Sequence, residues 1–405
     1  MRIDDHPTPT HAQMPDYTYL IVGGGMTADA AAQALHEADP AGSLGLISAE
    51  PHPPYDRPPL SKALWKGEPE EKIWRKTAAT GATLHLGRRI TAIDPRGRSA
   101  TDDRGTKYRF TKLLLATGGA PRRLPLKTDQ IIYYRTLDDY RRLRALATQS
   151  VRFAVIGGGF IGSEVAAALR MQQRDVTMLV PEAGLGARVF PADLAAFLVD
   201  YYGQKGVTMR MGEGMAGLER RAGSCVVRTT VGGEIVAEVL VAGLGIVPGV
   251  ELAEQAGLRV DNGIVVDEAC RTSNPDIYAA GDVANFENRA LGARLRVEHE
   301  DNANTMGRTA GLNMAGRATP YRHLPFFYSD LFELGYEAVG DVDVRLETVA
   351  DWKEKFREGV VYYLKDGRVR GVLLWNTWGQ VDHARALIAE PGPFKSQDLK
   401  GRLPA

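Results

Sequence analysis

A chain of 405 residues is longer than one ordinary hydrophobic core, so its length predicts two or three domains. Its 50 basic and 50 acidic residues balance, which excludes nucleic acid and an anionic membrane surface as the main partner on electrostatic grounds. The 44% hydrophobic content is typical of a soluble globular protein, and no apolar run approaches the roughly 20 residues that span a bilayer.

The first fifteen residues carry two aspartates and three prolines but no apolar export core. This composition predicts a flexible polar tail over residues 1–15 and a cytoplasmic protein. The two cysteines, Cys225 and Cys270, lie 45 positions apart and form no C-x-x-C motif. We therefore expect two reduced, partly buried thiols rather than a redox disulfide, and no metal site.

The first chemical motif follows a short apolar strand, Tyr19 to Val22. The next six residues match G-x-G-x-x-A, the turn that binds dinucleotides, and they are Gly23, Gly24, Gly25, Met26, Thr27 and Ala28. The first glycine permits the tight turn, the third lets the backbone approach a pyrophosphate, and the alanine lets the helix from about Thr27 to Glu37 pack closely. The N-terminus of that helix presents free N–H groups to the phosphates. Glu50, after a predicted strand from Ser43 to Ser48, is placed to accept ribose hydroxyls.

The segment from Pro51 to Lys62 contains five prolines, which predict a rigid extended segment rather than a helix or strand. Such a segment could hold Arg57 and Lys62 in place, or it could be a surface connector with two solvated cations. Short strands are predicted from Ala82 to Leu86 and from Arg89 to Asp94.

A further apolar strand, from Leu113, runs into Ala116, Thr117 and Gly118. This sequence brings bare backbone to the carboxyl edge of a sheet, where open α/β sheets bind ligands. From Arg135 to Leu146 we predict an exposed helix whose arginines form a solvated face.

The dinucleotide motif then repeats 134 residues after the first. A strand from Phe153 to Ile156 leads into a G-x-G-x-x-G turn and a helix that continues to Met171, and the turn consists of Gly157, Gly158, Gly159, Phe160, Ile161 and Gly162. Glu182 follows the next predicted strand, where a carboxylate favours a free ribose 2′-hydroxyl and repels a 2′-phosphate. Arg188 lies nearby and could partly accommodate that phosphate. The pattern predicts NADH as the preferred nucleotide over NADPH.

The stretch from Val239 to Pro248 is predicted to be the last strand of the second unit, as the strand from Leu113 is for the first unit. Gly281 and Asp282 end another apolar strand, where the carboxylate could hold the polyol chain of a flavin or simply cap a turn. A helix is predicted to begin in the acidic surroundings of His299 and to end near Met314.

The remainder of the chain has no nucleotide motif. Asp366-Gly367 between two apolar runs, Val360 to Leu364 and Arg368 to Trp375, predicts a hairpin. A final helix is predicted from about Asp382 to Ile388, so this part is expected to be a small α+β unit.

These residues resemble the FAD- and NAD(P)H-dependent pyridine nucleotide oxidoreductases that lack a redox disulfide. Within that family the chain is most similar to apoptosis-inducing factor-like proteins and then to ferredoxin and rubredoxin reductases. The resemblance covers about residues 17 to 390. It implies an α/β fold with two Rossmann-like three-layer nucleotide-binding domains, as in glutathione reductase, and a small C-terminal α+β domain. The implied domains are FAD-binding over 16–125 and 250–324, NAD(H)-binding over 126–249, and an interface domain over 325–405.

The resemblance also implies the functional residues. The FAD site would comprise Gly23, Gly25, Met26, Thr27, Ala28, Glu50, Arg57, Lys62, Ile90, Ala116, Thr117, Gly118, Arg135, Gly281, Asp282, Glu298, His299 and Tyr328. The NADH site would comprise residues 157–162 with Glu182, Arg188, Gly245 and Glu298. Lys62 and Glu164 would pair next to flavin N5, and His299 would lie beside the flavin and nicotinamide.

Two positions depart from the pattern that the resemblance implies. Tyr328 stands where tryptophan is usual, and Ala28 stands at the third glycine of the first motif. The run Arg296-Val-Glu-His is closer to apoptosis-inducing factor than to the ferredoxin reductases, which usually have Glu-Ser there.

The implied activity is hydride transfer from NADH to bound FAD, followed by electron transfer to a second acceptor. The acceptor would be a small iron–sulfur protein or rubredoxin, a quinone or other small oxidant, or dioxygen. The alternative is a redox-sensing protein with slow NADH oxidation and NADH-dependent dimerisation or partner binding, and the chain would be a monomer or a homodimer. A disulfide reductase is disfavoured by the two cysteines, and neither nucleic acid nor a membrane is expected as a partner.

Overall fold

The computed structural model describes residues 14–126, 130–221 and 223–403. Nearly all of the tail predicted at residues 1–15 lies outside these ranges. Along the described residues the strands are β1 (Asp16–Val22), β2 (Leu44–Ser48), β3 (Thr83–Leu86), β4 (Ile90–Asp94), β5 (Ser99–Asp102), β6 (Lys107–Leu115), β7 (Gly119–Pro121), β8 (Ile131–Tyr133), β9 (Arg152–Ile156), β10 (Asp175–Val180), β11 (Val207–Met211), β12 (Met215–Arg221), β13 (Ser224–Thr229), β14 (Glu234–Ala237), β15 (Val239–Ala242), β16 (Ile246–Pro248), β17 (Ile264–Val265), β18 (Ile277–Ala279), β19 (Ala284–Asn288), β20 (Ala293–Leu295), β21 (Phe326–Leu331), β22 (Leu334–Gly340), β23 (Glu347–Glu354), β24 (Glu358–Lys365) and β25 (Arg368–Trp375). The α-helices are α1 (Met26–Ala38), α2 (Leu137–Gln149), α3 (Phe160–Met171), α4 (Ala192–Gln204), α5 (Glu251–Gln255), α6 (Glu300–Met314), α7 (Val381–Ala389) and α8 (Ser396–Leu399).

The first sheet has the order β3-β2-β1-β6-β5-β4, and β18 also pairs with β6. Strands β1, β2, β3, β6 and β18 run parallel, while β4 and β5 are antiparallel additions. Leu20, Ile21 and the Leu113–Leu115 run are fully buried, as expected for a parallel strand covered on both faces. Helices α1 and α6 pack closely, since a Cβ added at Gly307 would lie 2.5 Å from the Thr27 carbonyl oxygen.

The second sheet is entirely parallel, in the order β11-β10-β9-β15-β8, and carries a three-stranded antiparallel sheet, β12-β13-β14. A two-stranded ribbon, β7 with β16, forms where the chain passes between the first and second sheets. The last sheet is antiparallel, in the order β21-β22-β25-β24-β23, and packs against α7. The predicted α/β class with a small α+β unit is confirmed.

The domain boundaries stay a prediction. We propose the same division because β18, which lies after residue 250, returns to the first sheet by pairing with Leu113–Leu115 of β6.

The proline-rich segment differs from the prediction of an extended loop. Pro58–Ser61 and Ala63–Lys66 are short 3₁₀ helices, and Lys62 N–H donates to the Pro59 carbonyl at 3.2 Å. Proline is well suited to the first turn of a helix, because its fixed φ is helical and its missing N–H would have no partner there. Only the end of the segment is therefore helical, and Lys62 lies between the 3₁₀ helix Pro58–Ser61 and the next one, Ala63–Lys66.

Helix α2 is also less exposed than predicted. Leu137, Tyr140 and Leu143 are buried, and Arg141 forms an ion pair with Glu70. Helix α4 and the sheet β12-β13-β14 were not predicted, although Gly232-Gly233 between β13 and β14 is a hairpin dipeptide.

A candidate active site between two glycine-rich loops

A cavity of about 1790 Å³ lies between the first and second sheets and extends to the last one. It is lined by residues of both glycine-rich loops and by most of the other predicted site residues. Three of those residues do not line it, namely Ala28, Gly162 and Gly281. The fold thus brings the two predicted nucleotide sites to one space.

The first loop has the geometry that the motif predicts. Gly23 has φ +132°, and a Cβ there would lie 2.1 Å from the Ala116 carbonyl oxygen, so the turn requires glycine. Gly281 approaches Thr27 just as closely, with 2.2 Å between an added Cβ and Thr27 Oγ1. These contacts, and the buried Ala28, hold the loop rather than line the cavity.

Gly25 is different, because an added Cβ would meet no atom within 4 Å. It is the N-cap of α1 and provides no side-chain cap to the first helical N–H groups. Free N–H donors facing open space at a helix N-terminus are what a pyrophosphate requires. The residues present therefore fit the predicted dinucleotide.

A chain of ion pairs and hydrogen bonds extends along the cavity from Glu50. Its carboxylate accepts from Arg57 Nη2 at 2.5 Å and from Tyr55 Oη at 2.6 Å. Arg57 Nη1 donates to the Arg135 carbonyl at 2.9 Å, and Arg135 Nη2 donates to Asp282 Oδ2 at 2.8 Å. Both carboxylates are thereby fixed in orientation and keep acceptor capacity for ribose or polyol hydroxyls.

The second loop repeats the first. Gly157 has φ +104°, and an added Cβ would lie 2.5 Å from the Gly243 carbonyl oxygen. Gly162 packs onto the Gly157 carbonyl in the same manner. Gly159, the N-cap of α3, again has no atom within 4 Å of an added Cβ and provides no side-chain cap. A second phosphate-binding turn therefore faces the same cavity.

Glu182 and Arg188 are the two residues predicted to contact the ribose of the second nucleotide. Within residues 14–126, 130–221 and 223–403, neither the Glu182 carboxylate nor the Arg188 guanidinium forms a hydrogen bond or an ion pair. Both line the cavity. Each is thus available to a ligand.

Between the loops, Lys62 and Glu164 form a nearly dry ion pair. Lys62 Nζ lies 2.6 Å from Glu164 Oε1, and the two side chains are 11% and 2% exposed. The hydroxyls of Ser61 and Ser329 each donate to the carboxylate at 2.5 Å. Three donors from two separate segments satisfy this buried charge, which offsets its desolvation.

His299 precedes α6 and its ring stacks on Phe327, with 4.3 Å between centroids and 17° between planes. Phe160 of the second loop lies 5.0 Å from Phe327. Burial lowers the pKa of His299 to about 4, and the carboxylates of Asp282 and Asp301 only partly oppose this. The imidazole is therefore neutral at neutral pH.

The depressed pKa of His299 gives a direct test. In an NMR titration of the folded protein, the His299 ring should titrate with a midpoint near pH 4, because burial disfavours its charged form. A His299 midpoint at the ordinary histidine value of about 6.5 would contradict the assignment of a neutral imidazole.

Other predicted residues occupy the rim or wall of the cavity. Glu298 is exposed and pairs with Arg296 at 2.7 Å, whereas Ile90 is buried. Tyr328 lies beneath Lys62, with 5.2 Å from Nζ to the ring centroid. The structure thus places Tyr328 beside the central ion pair.

Four residues around the site were not predicted: Tyr55, Ser61, Ser329 and Glu300. Ser61 and Ser329 complete the shell of Glu164 from 103 and 165 positions away in sequence. No local pattern indicates such contacts. Tyr55, five positions from Glu50, could have been found as the aromatic residue within the proline-rich segment.

Cys225 and Cys270 are free, buried, and absent from the cavity wall. Burial raises the pKa of both thiols, so neither is a ready thiolate. Over the described ranges, no group of three or more metal-ligating side chains occurs, and no helix has the length and apolarity needed to cross a bilayer.

Two phosphate-binding turns on two parallel sheets, open to one cavity with a buried ion pair between them, define a flavin-dependent oxidoreductase that uses a nicotinamide nucleotide. The comparisons identify the family. The family described as pyridine nucleotide-disulphide oxidoreductase matches residues 17–307, and the C-terminal family of mitochondrion-associated apoptosis-inducing factor matches residues 310–355 and 350–390. The chain belongs to the pyridine nucleotide-disulphide oxidoreductase family, as the sequence predicted.

Relatives resemble the chain along nearly all of its length. The ferredoxin reductase subunit of 5,5'-dehydrodivanillate O-demethylase from a Sphingobium species is 36% identical over 391 residues, covering 93% of this chain and 94% of the relative. The ferredoxin–NAD(+) reductase component of the anthranilate 1,2-dioxygenase system from Burkholderia cepacia is also 36% identical, covering 92% and 94%. The structure of a covalent putidaredoxin reductase–putidaredoxin complex matches with a TM-score of 0.87 at 30% identity, covering 95% of each chain.

The predicted cofactors and reaction class are confirmed by these relationships. The protein is an FAD-dependent oxidoreductase that takes hydride from NADH and passes electrons to a second acceptor. The individual site residues stay proposals.

Proposed function

We propose that the protein is a cytoplasmic NADH-dependent ferredoxin reductase, whose acceptor is a small iron–sulfur protein. The observation that carries the proposal is the opening of both glycine-rich loops onto one cavity beside the Lys62–Glu164 pair. The choice of acceptor is supported by two relatives, each 36% identical, whose names describe ferredoxin reductases. NADH is a cytoplasmic reductant, which supports the location.

The residues of the first loop would hold FAD, with Gly25 at the pyrophosphate, Glu50 at the adenosine ribose and Asp282 at the polyol chain. FAD, when bound, supplies a site that accepts two electrons as hydride and returns them one at a time. Gly159 would hold the NADH pyrophosphate, and Glu182 would accept from the ribose. Phe160, whose ring packs at a tilt against both His299 and Phe327, would help to exclude water from the reacting rings.

Lys62 would act electrostatically. Its ammonium is held by Glu164 in a nearly dry wall of the cavity, where a fixed positive charge has far more effect than it has in water. It would stabilise the negative charge that arrives with the hydride. Ser61 and Ser329 would keep the carboxylate from taking a proton during this step.

An anaerobic titration with NADH tests the proposal, followed by a screen of ferredoxin, rubredoxin, a quinone and oxygen as oxidants. We expect the protein to be yellow as purified, to bleach with one equivalent of NADH, and to be reoxidised fastest by ferredoxin. Colourless protein that cannot be reconstituted with FAD would contradict the first part, and fastest reoxidation by quinone or oxygen would contradict the second.

One observation favours a second function, a redox sensor. The C-terminal match to apoptosis-inducing factor covers residues 310–355 and 350–390. The run that ends in Glu298 and His299 resembles the same family in sequence. A sensor would oxidise NADH slowly with every carrier and would change its oligomeric state when reduced. Steady-state turnover with ferredoxin, together with gel filtration in the presence of NADH, distinguishes the two.

Glu182 is the residue that we expect to set nucleotide preference. Its unpaired carboxylate would accept from a ribose 2′-hydroxyl and repel a 2′-phosphate, so kcat/KM should be higher for NADH than for NADPH. Glu182→Ser should reduce that preference by about tenfold, a change of about 1.4 kcal/mol. Glu219→Ser, on the exposed strand β12, is a matched control that should leave it unchanged. Equal efficiencies for the two nucleotides in the unmodified protein would refute the assignment.

A further inference from the structure

Glu300 is a cavity-lining carboxyl group that none of the roles above uses. It lies in the first turn of α6, next to His299, and is half-buried. Its Oε2 accepts from Tyr328 Oη at 3.3 Å. Tyr328 in turn lies beneath Lys62, so Glu300 is one side chain removed from the central ion pair.

The other carboxylates near the centre of the cavity are each paired with a cation, whereas Glu300 forms no ion pair within the described residues. Glu164 has three donors, Asp282 is held by Arg135, and Asp301 accepts from Arg385 and from the Phe326 backbone N–H. Glu300 has one long hydrogen bond and therefore retains acceptor capacity. It is the central carboxyl group best able to change its protonation state.

The surroundings of Glu300 support that capacity. Burial, and then the Asp56 carboxylate, raise the pKa of Glu300 above its ordinary value, while Tyr328, Arg75 and Lys62 act in the opposite direction. Burial and the Glu300 carboxylate raise the pKa of Tyr328 well above its ordinary value. The phenol therefore stays protonated and remains the donor to Glu300.

A ferredoxin reductase must dispose of a proton. NADH delivers a hydride, which is two electrons and one proton, and each ferredoxin takes a single electron. When two ferredoxins have been reduced, one proton is left over, and the overall balance is NADH + 2 oxidised ferredoxin → NAD⁺ + 2 reduced ferredoxin + H⁺. The Lys62 ammonium has no free site for this proton. Glu164 would lose its negative charge if it accepted the proton, and the ion pair would be broken.

We propose that Glu300 accepts this proton through the hydroxyl of Tyr328 and then releases it to solvent. In this step the phenolic O–H bond breaks as Glu300 gains that proton, and the Tyr328 oxygen forms a new O–H bond with the proton that the reduced cofactor would release. Glu300 returns to the carboxylate when its own O–H bond breaks and the proton passes to solvent. The 3.3 Å separation must shorten, as is common for proton-transfer contacts that tighten only in the reacting complex. The inference rests on the proposed function, because a two-electron oxidant would leave a different proton balance.

The test uses the intact holoenzyme, reduced anaerobically with NADH and mixed in stopped flow with ferricyanide, a one-electron oxidant that needs no docking surface. In the unmodified protein, reoxidation should slow as the pH falls through the raised pKa of Glu300, because the carboxylic acid cannot accept a proton. Glu300→Gln should abolish this pH step and slow reoxidation at neutral pH by about tenfold, less than for an enclosed general base because the cavity admits water.

Two further variants sharpen the result. Tyr328→Phe keeps the ring beneath Lys62 and removes the hydroxyl, so it should reproduce the effect of Glu300→Gln. Glu254→Gln makes the same change on the exposed face of α5 and should behave as the unmodified protein. If Glu300→Gln retains the rate and the pH profile of Glu254→Gln, the proposal is overturned.

A second readout does not depend on variants that fold and retain FAD. Time-resolved infrared spectra of the unmodified protein during reoxidation should show a protonated-carboxyl band that appears and decays, and its absence would overturn the proposal. Because ferricyanide replaces ferredoxin, failure of the protein to reduce ferredoxin would refute the proposed function alone. If the unmodified protein reduces ferredoxin but shows no pH step in its reoxidation, the role of Glu300 alone is refuted.

Discussion

Replacing Lys62 with methionine should slow hydride transfer from NADH about 100-fold while leaving most of the FAD bound, because one preorganised charge is typically worth a factor of this size. Methionine preserves the length and apolar stem of the side chain but removes the ammonium that lies 2.6 Å from Glu164. Stopped-flow measurement of the bleaching of the flavin absorbance, with FAD content measured separately, gives both quantities.

The structure favours Lys62 over Glu164 as the residue to change. Glu164→Ala would leave a buried lysine charge without a partner and two serine hydroxyls without an acceptor. A loss of stability could then not be separated from a loss of hydride transfer. After Lys62→Met, Ser61 and Ser329 still donate to the carboxylate. The free energy of unfolding should therefore fall by less than the 3–5 kcal/mol that is typical of broken buried ion pairs, about 1–3 kcal/mol.

Lys66 provides the matched control for Lys62. It lies one turn further along the same 3₁₀ segment, pairs with Asp330 at 2.9 Å, and its side chain is 46% exposed. Lys66→Met removes the same charge from solvent-exposed surface and should leave hydride transfer unchanged, since exposed ion pairs contribute little. An unaltered rate in Lys62→Met, or equal effects of the two substitutions, would refute the electrostatic role.

The parts of the site that could be predicted are those encoded locally. A strand, a glycine turn and a helix lie within about twenty residues, so both loops follow from hydrophobic pattern and glycine spacing alone. The Lys62–Glu164 pair joins residues 102 positions apart and was predicted only from the family resemblance. The contact of Glu300 with Tyr328 was not predicted, since nothing in the acidic run that follows His299 indicates which carboxyl group will face a phenol 28 positions away.

The error in the proline-rich segment has a related cause. Proline restricts φ to a value that the extended, polyproline and helical conformations share, so composition alone does not choose among them. In this protein, contacts with other residues determine that Pro58–Ser61 is helical. Trp65 Nε1 and Tyr134 Oη both donate to the Leu60 carbonyl, which fixes the coiled segment against the second sheet.

Gly25→Ala and Gly159→Ala should separate the two nucleotide sites. Both glycines have negative φ, −95° and −80°, and an added Cβ meets no atom within 4 Å, so neither methyl group disturbs the folded chain. Each methyl would occupy the space that a pyrophosphate needs. Gly25→Ala should yield folded protein with little or no FAD, whereas Gly159→Ala should keep FAD and weaken NADH binding about 100-fold, equivalent to about 2.7 kcal/mol.

Circular dichroism, FAD absorbance and an NADH titration of each variant measure these outcomes. Gly203→Ala, in α4, also adds a methyl group to open space and should change none of them. Gly25 and Gly159 have similar backbone angles, and a loss of FAD from both variants would mean that the two sites are not independent. Full FAD content in Gly25→Ala would mean that the pyrophosphate does not lie at the N-terminus of α1. Because folding is preserved in either case, each result bears on the assignment of the two loops and not on the stability of the chain.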